Sequence, residues 1–214
     1  MKHITDINQL DLTKSYTYSE YLSWRFQERV ELIWGKIRKM TSAPSTRHQK
    51  VLGKMHILIS NVLEDHPCQI FIAPFDVRLP IEGNDEDIVE NVVQPDLCII
   101  CDDAKIDEKG CYGAPDLILE VLSPSSSTKD MKDKLKLYEQ AKVKEYWVVE
   151  PHDGIIHVFV LKDDGKYMSK YPVTAEDTIT SEIIKDLQID LKKVFPDILQ
   201  EPEENYLSPG AKRI

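Results

Sequence analysis

Two apolar segments, residues 92–101 (VVQPDLCIIC) and 115–122 (PDLILEVL), constrain this chain more than any others, because each sets an acid among strand-forming residues. Short runs rich in Val, Ile and Leu read as strands covered on both faces. A carboxylate in such a strand is costly unless it is paired or holds a metal. Asp96 and Glu120 therefore call for a functional reason. Asp116, which follows Pro115 at the start of the second strand, reads as a turn cap.

The flanking segments give these strands a setting. Upstream, Thr17 with Glu20 three residues later forms a capping box, and the spacing predicts a helix ending near Gln27. Residues 30–40 alternate about Gly35 as a strand that turns back on itself, which places Glu31 on a strand. Residues 48–63 carry Val51, Met55, Ile59 and Val62 at helical spacing. A strand over 69–79, irregular at Pro74, and an acidic loop at 83–90 lead into the two acid-bearing strands.

Downstream, a serine-rich turn at 123–128 precedes a helix over 130–141 that bears Lys132, Lys134 and Lys136. Segments at 145–150, 155–161 and 167–173, with Asp153-Gly154 and Asp163-Asp164-Gly165 between them, predict an antiparallel β-meander. A short apolar segment follows at 191–199. The whole predicts an α/β (α+β) fold, a mixed central sheet flanked by helices and ending in the meander. One domain over 15–200 is expected, with a polar leader at 1–14 and a flexible tail at 201–214.

The net charge of −10 argues against nucleic acid until its distribution is considered. Residues 36–54 hold six basic side chains and no acid, whereas residues 82–108 hold ten acids against Lys105 alone. A local basic surface is compatible with an acidic total. Four cysteines in strand-like contexts predict no disulfide framework. Cys98 and Cys101 have zinc-site spacing, but residues three apart on a strand point to opposite faces, so they read as small buried hydrophobes. No apolar run approaches the roughly 20 residues of a membrane span, and the N-terminus lacks the apolar block of a signal peptide. A cytoplasmic protein with no membrane partner is expected.

A mixed sheet can bring Glu31, Asp96 and Glu120 to one edge, where three carboxylates repel one another. A divalent cation resolves that repulsion, and hard oxygen ligands favour Mg²⁺ or Mn²⁺. Such an ion, with a nearby lysine, suits hydrolysis at phosphorus. Lys36, Arg38, Arg47, His48 and Lys50 are the candidates for holding the polyanion, His48 from the first turn of its helix.

Several motifs in order then carry a resemblance: ELIWGKI at 31–37, the segment 40–48, QPDL at 94–97, PDLILEVLSPS at 115–125, Asp130, Lys134, Leu137-Tyr138 and EYWVV at 145–149. Together, over residues 15–175, the chain resembles the Uma2 family, also catalogued as a domain of unknown function, whose fold is similar to that of PD-(D/E)xK restriction-endonuclease-like nucleases. The resemblance implies a nuclease core with Asp96 and Glu120 as metal ligands, Glu31 as a further acid, DNA as substrate and a homodimer as a candidate assembly. Leu122 departs from the pattern by standing two residues after Glu120, where lysine is expected. Lys134, from the following helix, is the expected substitute, and Trp34 is a second departure. The alternative is an inactive DNA- or protein-binding module on the same fold.

Overall fold

The computed structural model describes residues 3–40, 43–81, 89–123 and 128–198, leaving out the side chain of Thr128. Most of the acidic loop, the core of the serine-rich turn and the tail at 201–214 lie outside the described residues.

In chain order the elements are α1 (Tyr18–Tyr21), β1 (Val30–Ile33), β2 (Lys36–Lys39), α2 (Thr46–Leu63), β3 (Gln69–Ile72), β4 (Val77–Arg78), β5 (Val92–Val93) and β6 (Leu97–Ile100). There follow β7 (Ile106–Asp107), β8 (Gly110–Tyr112), β9 (Leu117–Val121), α3 (Thr128–Gln140), β10 (Glu145–Glu150), β11 (Ile155–Leu161), β12 (Tyr167–Ser169), β13 (Thr178–Thr180) and β14 (Gln188–Asp190). The mixed sheet foreseen from the sequence has the order β12-β11-β10-β9-β6-β3. Its antiparallel run β10-β11-β12 is the expected meander. A second six-stranded sheet, β2-β1-β5-β4-β8-β7, was not legible as a separate layer. Three of its strands have only two residues each, too short for any periodicity to register.

The expected long first helix is a single turn. Its capping box is present, with Thr17 and Glu20 donating to and accepting from each other, yet α1 stops at Tyr21. The residues beyond it serve packing instead. Trp24, Tyr16, Ile7 and Leu10 are buried with Val30 and Leu32 of β1, so part of the 1–14 leader belongs to this cluster.

The β1–β2 hairpin turns through Trp34 and Gly35, both with positive φ, as a two-residue turn requires. A Cβ at Gly35 would stand 2.7 Å from that of Ser15, so only glycine fits. Trp34 is thereby accounted for as a turn residue: its N–H is held by Asn91 and its ring lies under Lys136.

Both faces of the sheet that contains β9 and β10 are covered. Odd-numbered β9 residues, Leu117, Leu119 and Val121, pack with Val51, Met55 and Ile59 of α2. Even-numbered Ile118 lies on the other side, with Leu137 and Tyr138 of α3. β9 and β10 are parallel, and α3 is the crossover between them.

The same alternation separates Cys98 from Cys101, which join opposite cores as the parity argument predicted. The expectation of no disulfide is corrected, because Cys101 is joined to Cys68. The β3–β6 register pairs Gln69 with Ile100, and one step further it sets residue 68 opposite residue 101. Spacing along the chain cannot reveal such a cross-strand partner.

Candidate active site

Two of the three acids are brought together by register alone. β6 and β9 are antiparallel with Leu97 opposite Leu119, so the next step outward sets Asp96 opposite Glu120 on one face of the sheet. Directly opposed like charges destabilise a strand pair. The third acid comes from the other sheet. Val30 and Leu32 of β1 face the N-terminal cluster, while Glu31 takes the face of Ile33, toward α3.

Residues 94–96 run from β5 of one sheet to β6 of the other and tie the acids together. The Gln94 backbone N–H donates to Glu31 Oε1 at 3.0 Å. The Gln94 side chain donates to Asp76 Oδ1 at 2.8 Å and accepts from Arg29 at 3.2 Å. A proline at 95 continues no ladder, which suits a crossing between sheets.

Lys134 then arrives from α3. Its Nζ donates to Glu120 Oε1 at 2.8 Å and to Glu31 Oε1 at 3.0 Å. One helical turn on, the Tyr138 hydroxyl donates to the same Glu120 oxygen at 2.8 Å. The side chains are largely sequestered: Glu31 is 6% exposed, Glu120 12%, Lys134 15% and Asp96 19%. All four line one cleft of 730 Å³, whose rim carries Arg29, Arg38 and Lys39.

Charge in this cleft is out of balance. Burial, reinforced by the charges of Asp96 and Glu31, pushes the Glu120 carboxyl up to about 7 against the pull of Lys134. Lys134 loses hydration on burial, yet the charges of Glu120 and Glu31 outweigh that loss and hold it well above the ordinary lysine range. It stays an ammonium. Glu31 and Glu120 share that one ammonium, which leaves the pair short of positive charge.

Asp96 accepts twice on one oxygen, from the Val121 backbone N–H at 2.8 Å and from His48 Nε2 at 3.2 Å. A carboxylate in this position accepts, so Nε2 is the protonated ring nitrogen. Burial opposes charge on His48, but the hydrogen bond and charge of Asp96 outweigh it and raise its pKa.

Among the described residues, no three His, Cys, Asp or Glu side chains are placed to hold one ion together. The donor set still fits a hard cation. Mg²⁺ is commonly held by one or two carboxylates, with water and substrate phosphate completing its shell. Asp96 and Glu120, adjacent across two strands, are the pair able to supply them.

The residues expected to hold a polyanion divide. Arg38 lines the cleft and pairs with Asp133 at 2.7 Å. Lys36 lies outside the cleft lining and donates to the Thr13 carbonyl. Arg47 and Lys50 line a separate cavity beside Phe195, and Arg47 donates to the Pro151 carbonyl. His48 faces the cleft but is turned onto Asp96. Gln94, Tyr138 and Arg29 were not anticipated. For Tyr138 a signal existed, because it stands four residues after Lys134 and so shares its helix face.

Comparison with known proteins places the chain in a family. The family model Uma2, described as "Putative restriction endonuclease", matches residues 18–192. An "Uncharacterized protein slr1290" of Synechocystis sp. is 28% identical over 152 residues, covering 70% of this chain and 76% of that protein. A crystal structure of "a putative nuclease belonging to DUF820" from Anabaena variabilis superposes with a TM-score of 0.66 at 17% identity, covering 85% of this chain and 98% of that one. At that identity the likeness is one of fold.

Proposed function

Because the chain belongs to the Uma2 family, we propose that it is a divalent-metal-dependent nuclease that hydrolyses phosphodiester bonds, with DNA as its substrate. One observation carries this reading. Leu122 stands two residues after Glu120, where the PD-(D/E)xK pattern expects lysine, and Lys134 brings an ammonium to 2.8 Å from Glu120 and 3.0 Å from Glu31.

In this reading Asp96 and Glu120 hold Mg²⁺ or Mn²⁺, and Glu31 keeps Lys134 in position. The ion supplies Lewis-acid charge at phosphorus and a more acidic bound water. Lys134 stays protonated and stabilises charge building on a phosphoryl oxygen or orients the attacking water. Arg29, Arg38 and Lys39 on the rim hold the flanking backbone phosphates, a contribution that weakens as salt rises. The binding-module alternative keeps the rim and loses the chemistry.

Incubating the protein with supercoiled plasmid and with single-stranded DNA, while Mn²⁺ is titrated, tests the proposal. Cleavage should require the ion and vanish in Asp96→Asn. Binding of DNA without cleavage at any Mn²⁺ concentration would leave the binding module as the better account.

A further inference from the structure

His48 was expected at the surface, and instead its ring is almost wholly buried with Nε2 on Asp96 Oδ2. Its position is set locally. Ser45 caps α2 and accepts from the His48 backbone N–H, which fixes the residue in the first turn over the cleft. Among the described residues, the other ring nitrogen, Nδ1, is buried with no hydrogen-bond partner. A side chain needed only to fill space at this point would be apolar, since an orphaned buried nitrogen opposes folding. The ring makes its polar contact through Nε2, on Asp96.

That nitrogen and the Val121 N–H both donate to Oδ2 of Asp96. Two donors on one carboxylate oxygen restrain the orientation of the group. We infer that His48 is a positioning residue for Asp96, holding the carboxylate in the orientation that binds the divalent ion. The inference rests on the reading of Asp96 as a cation ligand and adds the device that makes it one. Carboxylates that ligate metals are commonly oriented by such hydrogen bonds, and loss of the orienting partner weakens metal binding.

The test uses the full-length protein, Mn²⁺ alone as ligand and electron paramagnetic resonance to count free ion, with melting temperature followed in parallel. His48→Ala should weaken Mn²⁺ binding by about 10- to 100-fold. His48→Gln, whose amide N–H can reach the same oxygen, should recover most of that loss. A purely structural histidine would lower the melting temperature of both variants and leave the Mn²⁺ affinity of the folded protein unchanged. If His48→Ala does not fold, His48→Leu, which fills the volume without a donor, takes its place.

Wild-type affinity in the donor-less variant, or no recovery in His48→Gln, overturns the inference. A wild-type protein that binds no Mn²⁺ overturns it together with the cation reading. A wild-type protein that binds Mn²⁺ but leaves DNA intact sinks the nuclease reading and leaves His48 in its role.

Discussion

Two acids flank the core of β9, Asp116 just before its first residue and Glu120 near its last, and each meets a different lysine from later in the chain. At the N-terminal end, Asp116 accepts from the Cys101 N–H and pairs with Lys144 at 2.7 Å. One carboxylate meets one ammonium and one backbone donor, and the site is balanced. At the other end, Glu120 shares the single ammonium of Lys134 with Glu31, opposite Asp96, on the wall of a cleft. The difference lies in the ratio of acids to cations and in access. A balanced ion pair holds strands together, whereas an unbalanced one in a cleft leaves room for an outside cation.

The sharpest way to break this contrast is to remove each acid in turn. Glu120→Gln should abolish cleavage while leaving the metal-free protein at least as stable, because it relieves repulsion. Asp116→Ala should do the reverse. Lys144 is 55% exposed and returns to water without loss, so the cost is the orphaned Cys101 N–H, about 1–3 kcal/mol by chemical denaturation. Cleavage per folded molecule should not change. Equal effects of the two substitutions would erase the distinction.

Lys134→Met probes the same end from the cationic side. Cleavage should fall on the order of 10²- to 10³-fold. Above pH 8 the metal-free protein should lose about 3 kcal/mol, since Glu120 is ionised there without the ammonium that favours its charge. At pH 6 the loss should shrink, because Glu120 takes up a proton instead.

The acids were legible in the sequence because a carboxylate inside an apolar strand is anomalous whatever the fold around it. Lys134 was legible only through the family pattern and the vacancy at Leu122. His48 was misplaced for a physical reason. A basic run along the chain is not a basic surface on a helix, where each residue turns by about 100°. Burying His48 therefore rotates Arg47 and Lys50 away from the cleft, toward Phe195. The second sheet and the Cys68–Cys101 pairing depend on register between distant segments, which no local pattern encodes.

A smaller effect follows from the raised Glu120. Its folded pKa of about 7 lies above the ordinary 4.5, so the folded state holds the proton more tightly. This group therefore favours folding below about pH 4.5, and that contribution drains away as pH rises toward 7, by up to ~1.4 kcal/mol per pH unit. Denaturation of metal-free protein across that window should show the slope, and Glu120→Gln should flatten it. Mn²⁺ affinity should move the other way and strengthen as pH rises through about 7, because the ligand must lose its proton.

The central claim is that the unbalanced end of β9 is a divalent-cation site. Crystals grown with Mn²⁺ and measured near the manganese absorption edge test it most directly through an anomalous difference map. The account predicts a peak between the carboxylates of Asp96 and Glu120, with Lys134 still on Glu31, and no peak beside Asp116. A cleft without anomalous density at saturating Mn²⁺, or manganese bound only elsewhere on the molecule, would contradict it.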